Sequence, residues 1–165
     1  MEYFAAHYDS PLGKMTMASD GTALIALKFD GTRFAFKFAD GMPATTKLSV
    51  FDETRRWLDL YFAGKNPDFT PLLAPQGTPF QQRVWDILLT IPYGKTMSYG
   101  NVARCISPTM SAQAVGGAVG RNPIGIIIPC HRVIGADGSL TGYGGGLDRK
   151  RWMLELECKI SLHPL

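Results

Sequence analysis

Short apolar and polar stretches divide the start of the chain, and after about residue 48 the apolar positions switch to a helical spacing. Lys14 to Ala18, Ala23 to Phe29 and Arg33 to Phe38 read as strands, and the turn dipeptides Asp20-Gly21 and Asp30-Gly31 between them predict an antiparallel meander. Val50, Thr54, Trp57, Leu58, Tyr61 and Phe62 then lie along one helix face, with Gly64 where that helix would end. Lys65 to Gly77 holds Pro67, Pro71 and Pro75 without any period and reads as a linker. The expected organisation is therefore a sheet-and-helix domain over residues 1–75, linker included, and a second domain over residues 76–165.

The second domain opens with a strong helix signal. Thr78, Pro79 and Gln81 stand as N-cap, N1 proline and N3 glutamine, and Phe80, Val84, Ile87, Leu88 and Ile91 continue as an apolar stripe. Ser98 can cap a second helix running to about Ile106, Ser107-Pro108 breaks it, and Ser111 can cap a third running to about Val119. The fold class expected is α+β, a small antiparallel sheet with a helix followed by a mostly helical domain with a helix-turn-helix. That arrangement reads DNA in some proteins and binds nothing in many others.

The third helix is unusual in composition. Ala112, Ala114, Gly116, Gly117 and Ala118 leave it almost without side-chain bulk, although glycine costs about 1 kcal/mol in a helix interior. Something must approach it closely: a neighbouring element of the protein, or a nucleic-acid groove. Beyond it, Gly125 to Ile128 is an apolar run consistent with a buried strand, which delivers Pro129-Cys130-His131-Arg132. Six glycines between Gly135 and Gly146 mark a loop, and Asp148 can cap a last helix whose buried side is supplied by Trp152, Met153, Leu154 and Leu156.

Charge adds a weak indication. Residues 1–79 carry eight Lys/Arg against nine Asp/Glu, whereas residues 80–165 carry nine against five, so the second part is basic, as a phosphate backbone would require. Cys105, Cys130 and Cys158 are an odd number without a C-x-x-C pair, and the three histidines are scattered, so neither a disulfide framework nor a metal site is expected. No run approaches the roughly 18 apolar residues of a membrane span, and Met1 to Tyr8 lacks the pattern of a signal peptide, which predicts a cytoplasmic protein with no membrane partner.

Cys130 carries the candidate chemistry. Cysteine is a strong nucleophile only as thiolate, and an ordinary thiol is only a few per cent ionised at neutral pH, so a partner must activate it. His131 is adjacent, but neighbours in an extended stretch point apart, and a cysteine after an apolar run is more often a buried structural thiol. From the residues alone both readings stand.

A resemblance separates them. The run Asn122-Pro123 through Ile128-Pro129-Cys130-His131-Arg132-Val133-Ile134 closely resembles the active-site signature of the O6-alkylguanine-DNA alkyltransferases, also called methylated-DNA protein-cysteine methyltransferases. The stretches Phe80-Gln81-Gln82-Arg83-Val84-Trp85, Ile91-Pro92-Tyr93-Gly94, Ser98-Tyr99-Gly100, Ala114-Val115-Gly116-Gly117-Ala118, Thr141-Gly142-Tyr143-Gly144-Gly145-Gly146 and Leu154-Glu155-Leu156-Glu157 resemble further family blocks in family order. The likeness is dense over about residues 76 to 159 and looser before.

The resemblance implies a ribonuclease-H-like first domain and a winged-helix-like second one. It implies direct-reversal DNA repair, in which Cys130 takes the alkyl group from O6-alkylguanine in a flipped-out nucleotide, once and irreversibly, with O4-alkylthymine as a second candidate substrate. His131 would act through a water as base, Glu157 would orient His131, Tyr99 would supply a donor to the leaving guanine, and Asn122 would be the hinge between the third helix and the active-site segment. The carbonyls of Cys130 and Val133 and the N–H of Gly144 would read the base, with Tyr143 and Val119 lining its pocket. Ala112, Ala114, Gly116, Arg121, Ser98 and Gln113 would face DNA. No cofactor is implied, and the partner is duplex DNA carrying the lesion, met by a monomer or by several copies loading cooperatively, at the nucleoid in a bacterium.

One position departs from the family pattern: Gln113 stands where an arginine usually fills the gap left by the flipped base. The expectation is weaker DNA holding, with Arg121, Arg104 or Lys95 compensating. Three rivals remain at this point. A non-repairing relative would lack Cys130, a sequence-specific regulator would need a recognition helix richer in polar side chains, and a cysteine hydrolase using Cys130, His131 and Glu157 would leave the glycine-rich helix unexplained.

Overall fold

The computed structural model describes residues 2–32 and 47–162; the strand read at Arg33 to Phe38 lies outside them. The chain divides into two compact units, Met1–Gln76 and Gly77–Leu165.

In the first unit β1 (Phe4–Ser10), β2 (Gly13–Ser19) and β3 (Leu24–Phe29) form, among the described residues, a three-stranded antiparallel sheet in chain order. β1 escapes the sequence reading because only Ala6 in it is buried and its alternation is faint. The register aligns Met15 with Phe29 and Met17 with Leu27, and these four side chains are buried. α1 (Ser49–Phe62) contributes Val50, Phe51, Trp57, Leu58 and Tyr61 to the core. Gly64 follows it at φ +82°, the left-handed conformation that glycine adopts without a Cβ penalty. The segment read as linker is partly docked: Leu73 bridges Leu24 in parallel, with Leu24 N–H donating to Leu72 O at 2.8 Å and Ala74 N–H donating to Leu24 O at 2.9 Å. Backbone groups set beside a sheet edge pair with it when they can, and proline spacing does not reveal that.

In the second unit α2 (Pro79–Leu88) carries the full capping box, Gln81 N–H to Thr78 Oγ1 at 3.1 Å and Thr78 N–H to Gln81 Oε1 at 3.0 Å. Gly77 just before it is needed for packing, since a Cβ there would sit 2.4 Å from the Trp85 ring. α3 (Tyr99–Ile106) and α4 (Ala112–Gly120) are capped by Ser98 and Ser111 and joined by the turn at Ser107 to Met110. The three helices pack on one another, and the Trp85 indole N–H is satisfied by the Ala118 carbonyl at 2.9 Å.

A two-residue parallel pair, β4 (Met97–Ser98) with β5 (Val133–Ile134), sets the start of α3 beside the residues that follow Cys130. α5 (Leu147–Leu162) starts one residue before the expected cap, leaving Asp148 in its first turn, where a carboxylate favours the helix dipole. Lys150, Met153 and Glu157 form its buried stripe at i, i+3 and i+7. Among the described residues no helix is long and apolar enough to cross a membrane.

Candidate active site

The approach to Cys130 is a series of turns where a strand was expected. Ile127 N–H bonds Gly125 O, Ile128 N–H bonds Ile124 O, and Cys130 N–H bonds Ile128 O, at 2.8, 3.2 and 2.8 Å. An apolar run shows burial, and Ile124, Ile126, Ile127 and Ile128 are all buried, but it does not distinguish a strand from a compact turn. Asn122 makes the turn possible: its Nδ2 donates to Ile128 O at 2.8 Å and its Oδ1 accepts from Ile124 N–H at 3.0 Å. Ile126 sits at φ +67°, which for a β-branched residue costs on the order of 1–3 kcal/mol and persists only where the surroundings enforce it.

Cys130 begins a 3-10 turn, Cys130–Arg132, all three residues of which are buried. That turn separates His131 from the extended geometry in which neighbours diverge. His131 is fully enclosed, and its Nε2 lies 2.5 Å from Glu157 Oε2. Arg132 Nε donates to Glu157 Oε1 at 2.8 Å, Gly94 N–H donates to the same oxygen at 3.0 Å, and an Arg132 terminal nitrogen donates to Ile91 O at 2.8 Å. The Arg132 guanidinium also lies 5.7 Å from the Tyr93 ring centroid. A carboxylate so surrounded stays ionised and accepts from Nε2, leaving Nδ1 as the basic nitrogen of the ring. Burial holds the His131 pKa below its ordinary value despite the opposing pull of Glu157, so the ring is neutral at pH 7. A neutral, oriented imidazole beside a thiol can withdraw its proton.

Tyr99, at the start of α3, donates its hydroxyl to Thr141 O at 2.9 Å. Burial raises its pKa, as does the negative charge Cys130 carries when ionised, so Tyr99 is a protonated donor. Tyr143 is half-buried and its phenol is pushed well up by burial and the same sulfur charge. Val133 and Val119 are buried, and Gly144 is exposed in the glycine-rich loop. A separate cavity of about 350 Å³ is lined by Gly94, Ile134, Leu140, Leu154 and Glu157 among others. Cys130 is not among its walls.

On α4, Val115, Ala118 and Val119 point inward while Ala112, Gln113 and Ala114 are exposed. Internal crowding does not explain its glycines. A Cβ at Gly116 would meet Tyr99 at an ordinary 3.9 Å, one at Gly117 the Arg121 guanidinium at 3.4 Å, and one at Gly120 nothing within 4 Å. Ser98 is half-buried and occupied as the cap of α3, and Arg121 is exposed, reaching Gly117 O at 3.2 Å. The three cysteines are not disulfide-bonded, and among the described residues no cluster of His, Cys, Asp and Glu could hold a metal ion.

Two residues of this network escape the sequence reading, Arg132 and Lys150. Lys150 is fully buried, with Nζ bonded to Val133 O at 2.6 Å and Thr141 O at 2.9 Å. Its place three residues before Met153 and seven before Glu157, on one helix face, is the signal that would have found it.

This is the architecture of a helical DNA-binding module built around a buried thiol, and the comparisons agree. Residues 79–159 match the DNA binding domain of 6-O-methylguanine DNA methyltransferase, and residues 4–75 match the ribonuclease-like domain of the same proteins. The chain belongs to the 6-O-methylguanine DNA methyltransferase family. It is 49% identical over 154 residues to a Mycobacterium tuberculosis methylated-DNA–protein-cysteine methyltransferase, covering 92% of each chain. A protein of the same description from Methanosarcina acetivorans is 44% identical, with 93% of this chain and 97% of that one covered. The crystal structure of Mycobacterium tuberculosis OGT in complex with DNA superposes with a TM-score of 0.83 at 47% identity, over 94% of this chain and 93% of that one.

Proposed function

We propose that the chain performs direct-reversal DNA repair, moving the alkyl group of O6-alkylguanine onto Cys130 in a single irreversible transfer. The observation that carries this reading is the enclosed Glu157–His131 pair, at 2.5 Å, next in sequence to a buried cysteine. His131 Nδ1 takes the thiol proton through a water, and Glu157 fixes the tautomer and stabilises the imidazolium. The thiolate attacks the alkyl carbon, the S–C bond forms as the C–O6 bond breaks, and the electron pair passes to guanine. Tyr99, kept protonated by its surroundings, donates to the base as that charge develops.

The lesion lies inside a duplex, so the nucleotide must be extruded at a cost of a few kcal/mol. The glycines of α4 support a groove-binding role for that helix, since a Cβ has room within the protein and the small residues therefore serve an outside approach. Ala112, Gln113, Ala114 and Gly116 form the face offered to DNA, with Arg121 beside it and Asn122 tying α4 to the Cys130 turn. Val133, Tyr143, Gly144 and Val119 shape the base pocket. The residue boundaries of the two domains, 1–75 and 76–165, belong to the same reading, as does action as a monomer. The thioether product cannot be undone by thiol exchange, so each molecule reacts once.

The test is to incubate the full chain with a duplex oligonucleotide carrying O6-methylguanine and measure intact and peptide masses. A gain of one methylene on the Cys130 peptide, absent from Cys130→Ser, is the expected result. A folded protein that acquires no adduct overturns the reading, and turnover of a small ester without an adduct would favour a hydrolase.

A further inference from the structure

Lys150 is a buried cation that the transfer chemistry leaves unused. A buried ammonium ordinarily faces a carboxylate, because an uncompensated charge in the interior is costly. Among the described residues Lys150 has no such partner: its hydrogen bonds go to two neutral carbonyls, Val133 O and Thr141 O, and the Tyr99 ring centroid lies 5.9 Å from Nζ. Glu157, two turns along the same helix, is taken up by His131, Arg132 and Gly94.

Among the described residues the other titratable or charged groups around Cys130 and Lys150 are His131 and Arg132 of the 3-10 turn, Tyr99 of α3, Tyr143 of the glycine-rich loop, and Arg149 and Glu157 of α5. His131 and the two tyrosines are neutral at pH 7, and Arg132 and Glu157 are paired with each other. Burial draws the Lys150 pKa below its ordinary value, and the negative charge of an ionised Cys130 opposes that pull. The interaction is mutual, so a charged Lys150 favours the thiolate by the same amount. Geometry adds a second role. Thr141 O accepts from both Lys150 Nζ and the Tyr99 hydroxyl, at 2.9 Å each, so one ammonium links β5, the loop after it and the start of α3.

We propose that Lys150 is a positioning residue whose enclosed ammonium is the charge complement of the Cys130 thiolate and whose donors hold the Val133 and Thr141 carbonyls beside the base pocket. The proposal rests on Cys130 being the nucleophile, and it assigns to α5 a second contribution beside Glu157.

The test uses the full chain and a probe that needs no DNA. Iodoacetamide labelling of Cys130, resolved from Cys105 and Cys158 by peptide mass, is followed from pH 5 to 9 in wild type, Lys150→Met and Lys150→Arg. Lys150→Met should move the midpoint up by about one pH unit, which is about a tenfold lower thiolate-to-thiol ratio at a given pH, and Lys150→Arg should keep most of the wild-type midpoint. A folded Lys150→Met with the wild-type midpoint overturns the proposal.

A second measurement needs no variant and decides the matter should Lys150→Met not fold. Carboxamidomethylation of Cys130 removes the anion, so the Lys150 ammonium, followed by NMR, should titrate at lower pH in the labelled protein. An unchanged titration overturns the proposal. Absence of methyl transfer from an oligonucleotide would instead strike the repair reading, while the labelling midpoints stand on their own.

Discussion

Replacing Glu157 by Gln should abolish most of the transfer rate while leaving the fold in place. The side chain keeps its shape but loses its charge and turns one oxygen into an NH2 donor. Two of the three groups facing it, Arg132 Nε and Gly94 N–H, are obligate donors to Oε1, so the amide oxygen must stay there and the NH2 must point at His131. His131 Nε2 then has to accept, and the ring proton moves to Nδ1, the nitrogen that would otherwise collect the thiol proton. The base is lost through tautomer inversion rather than distance. General-base catalysis contributes about 10²–10⁴-fold, and the transfer rate at pH 7 should fall within that range. Stability should drop by about 3 kcal/mol, the lower end for breaking a buried charge pair, because the bonds to Arg132 and Gly94 survive. Single-turnover transfer from an O6-methylguanine duplex measures the first quantity and urea unfolding the second. A Glu157→Gln protein that transfers within about threefold of wild type would refute the tautomer argument.

Three further outcomes follow from the same geometry. Asn122→Ala removes both bonds that brace the turn before Cys130 and should destabilise the protein by about 1–3 kcal/mol while slowing transfer, read by urea unfolding alongside the methylation assay; an unchanged unfolding midpoint contradicts the hinge assignment. Gln113→Arg adds a cation on the exposed face of α4, so DNA affinity should rise and the slope of log K against log salt should steepen by about 0.9, whereas an unaltered slope would show that position 113 does not meet phosphates. Because His131 has its folded pKa below the unfolded value of about 6.5, the unfolded chain takes up the proton first; stability is complete above that pH and is lost as pH falls through the folded pKa, by up to about 1.4 kcal/mol per unit. His131→Gln should flatten the profile of urea midpoint between pH 5 and 7.5, and a wild-type profile already flat would rule this out.

How legible these features are depends on their range in sequence. The caps at Thr78, Ser98 and Ser111 are local, since each hydroxyl bonds a backbone N–H three residues on, and so they can be read directly. The stripe of α1 and the β2–β3 turn are legible for the same reason. The run Gly125 to Ile128 is misleading because burial and local conformation are separate quantities, and Asn122, several residues away, selects turns over a strand. The parallel β4–β5 pair joins residues 36 apart, from Met97 to Val133, and no periodicity announces it.

The chain itself determined the capped helices, the small-residue α4 and the presence of a cysteine, a histidine and a glutamate, and its likeness to a family told which of them to set together. Tertiary structure alone decided that Glu157, 26 residues from His131, faces it in the interior, that Arg132 and Gly94 hold that carboxylate, and that Lys150 lies buried beside Cys130's surroundings instead of in solvent. The physical reason is that a charged side chain is read as exposed unless its partners are known, and here every partner comes from a distant part of the chain.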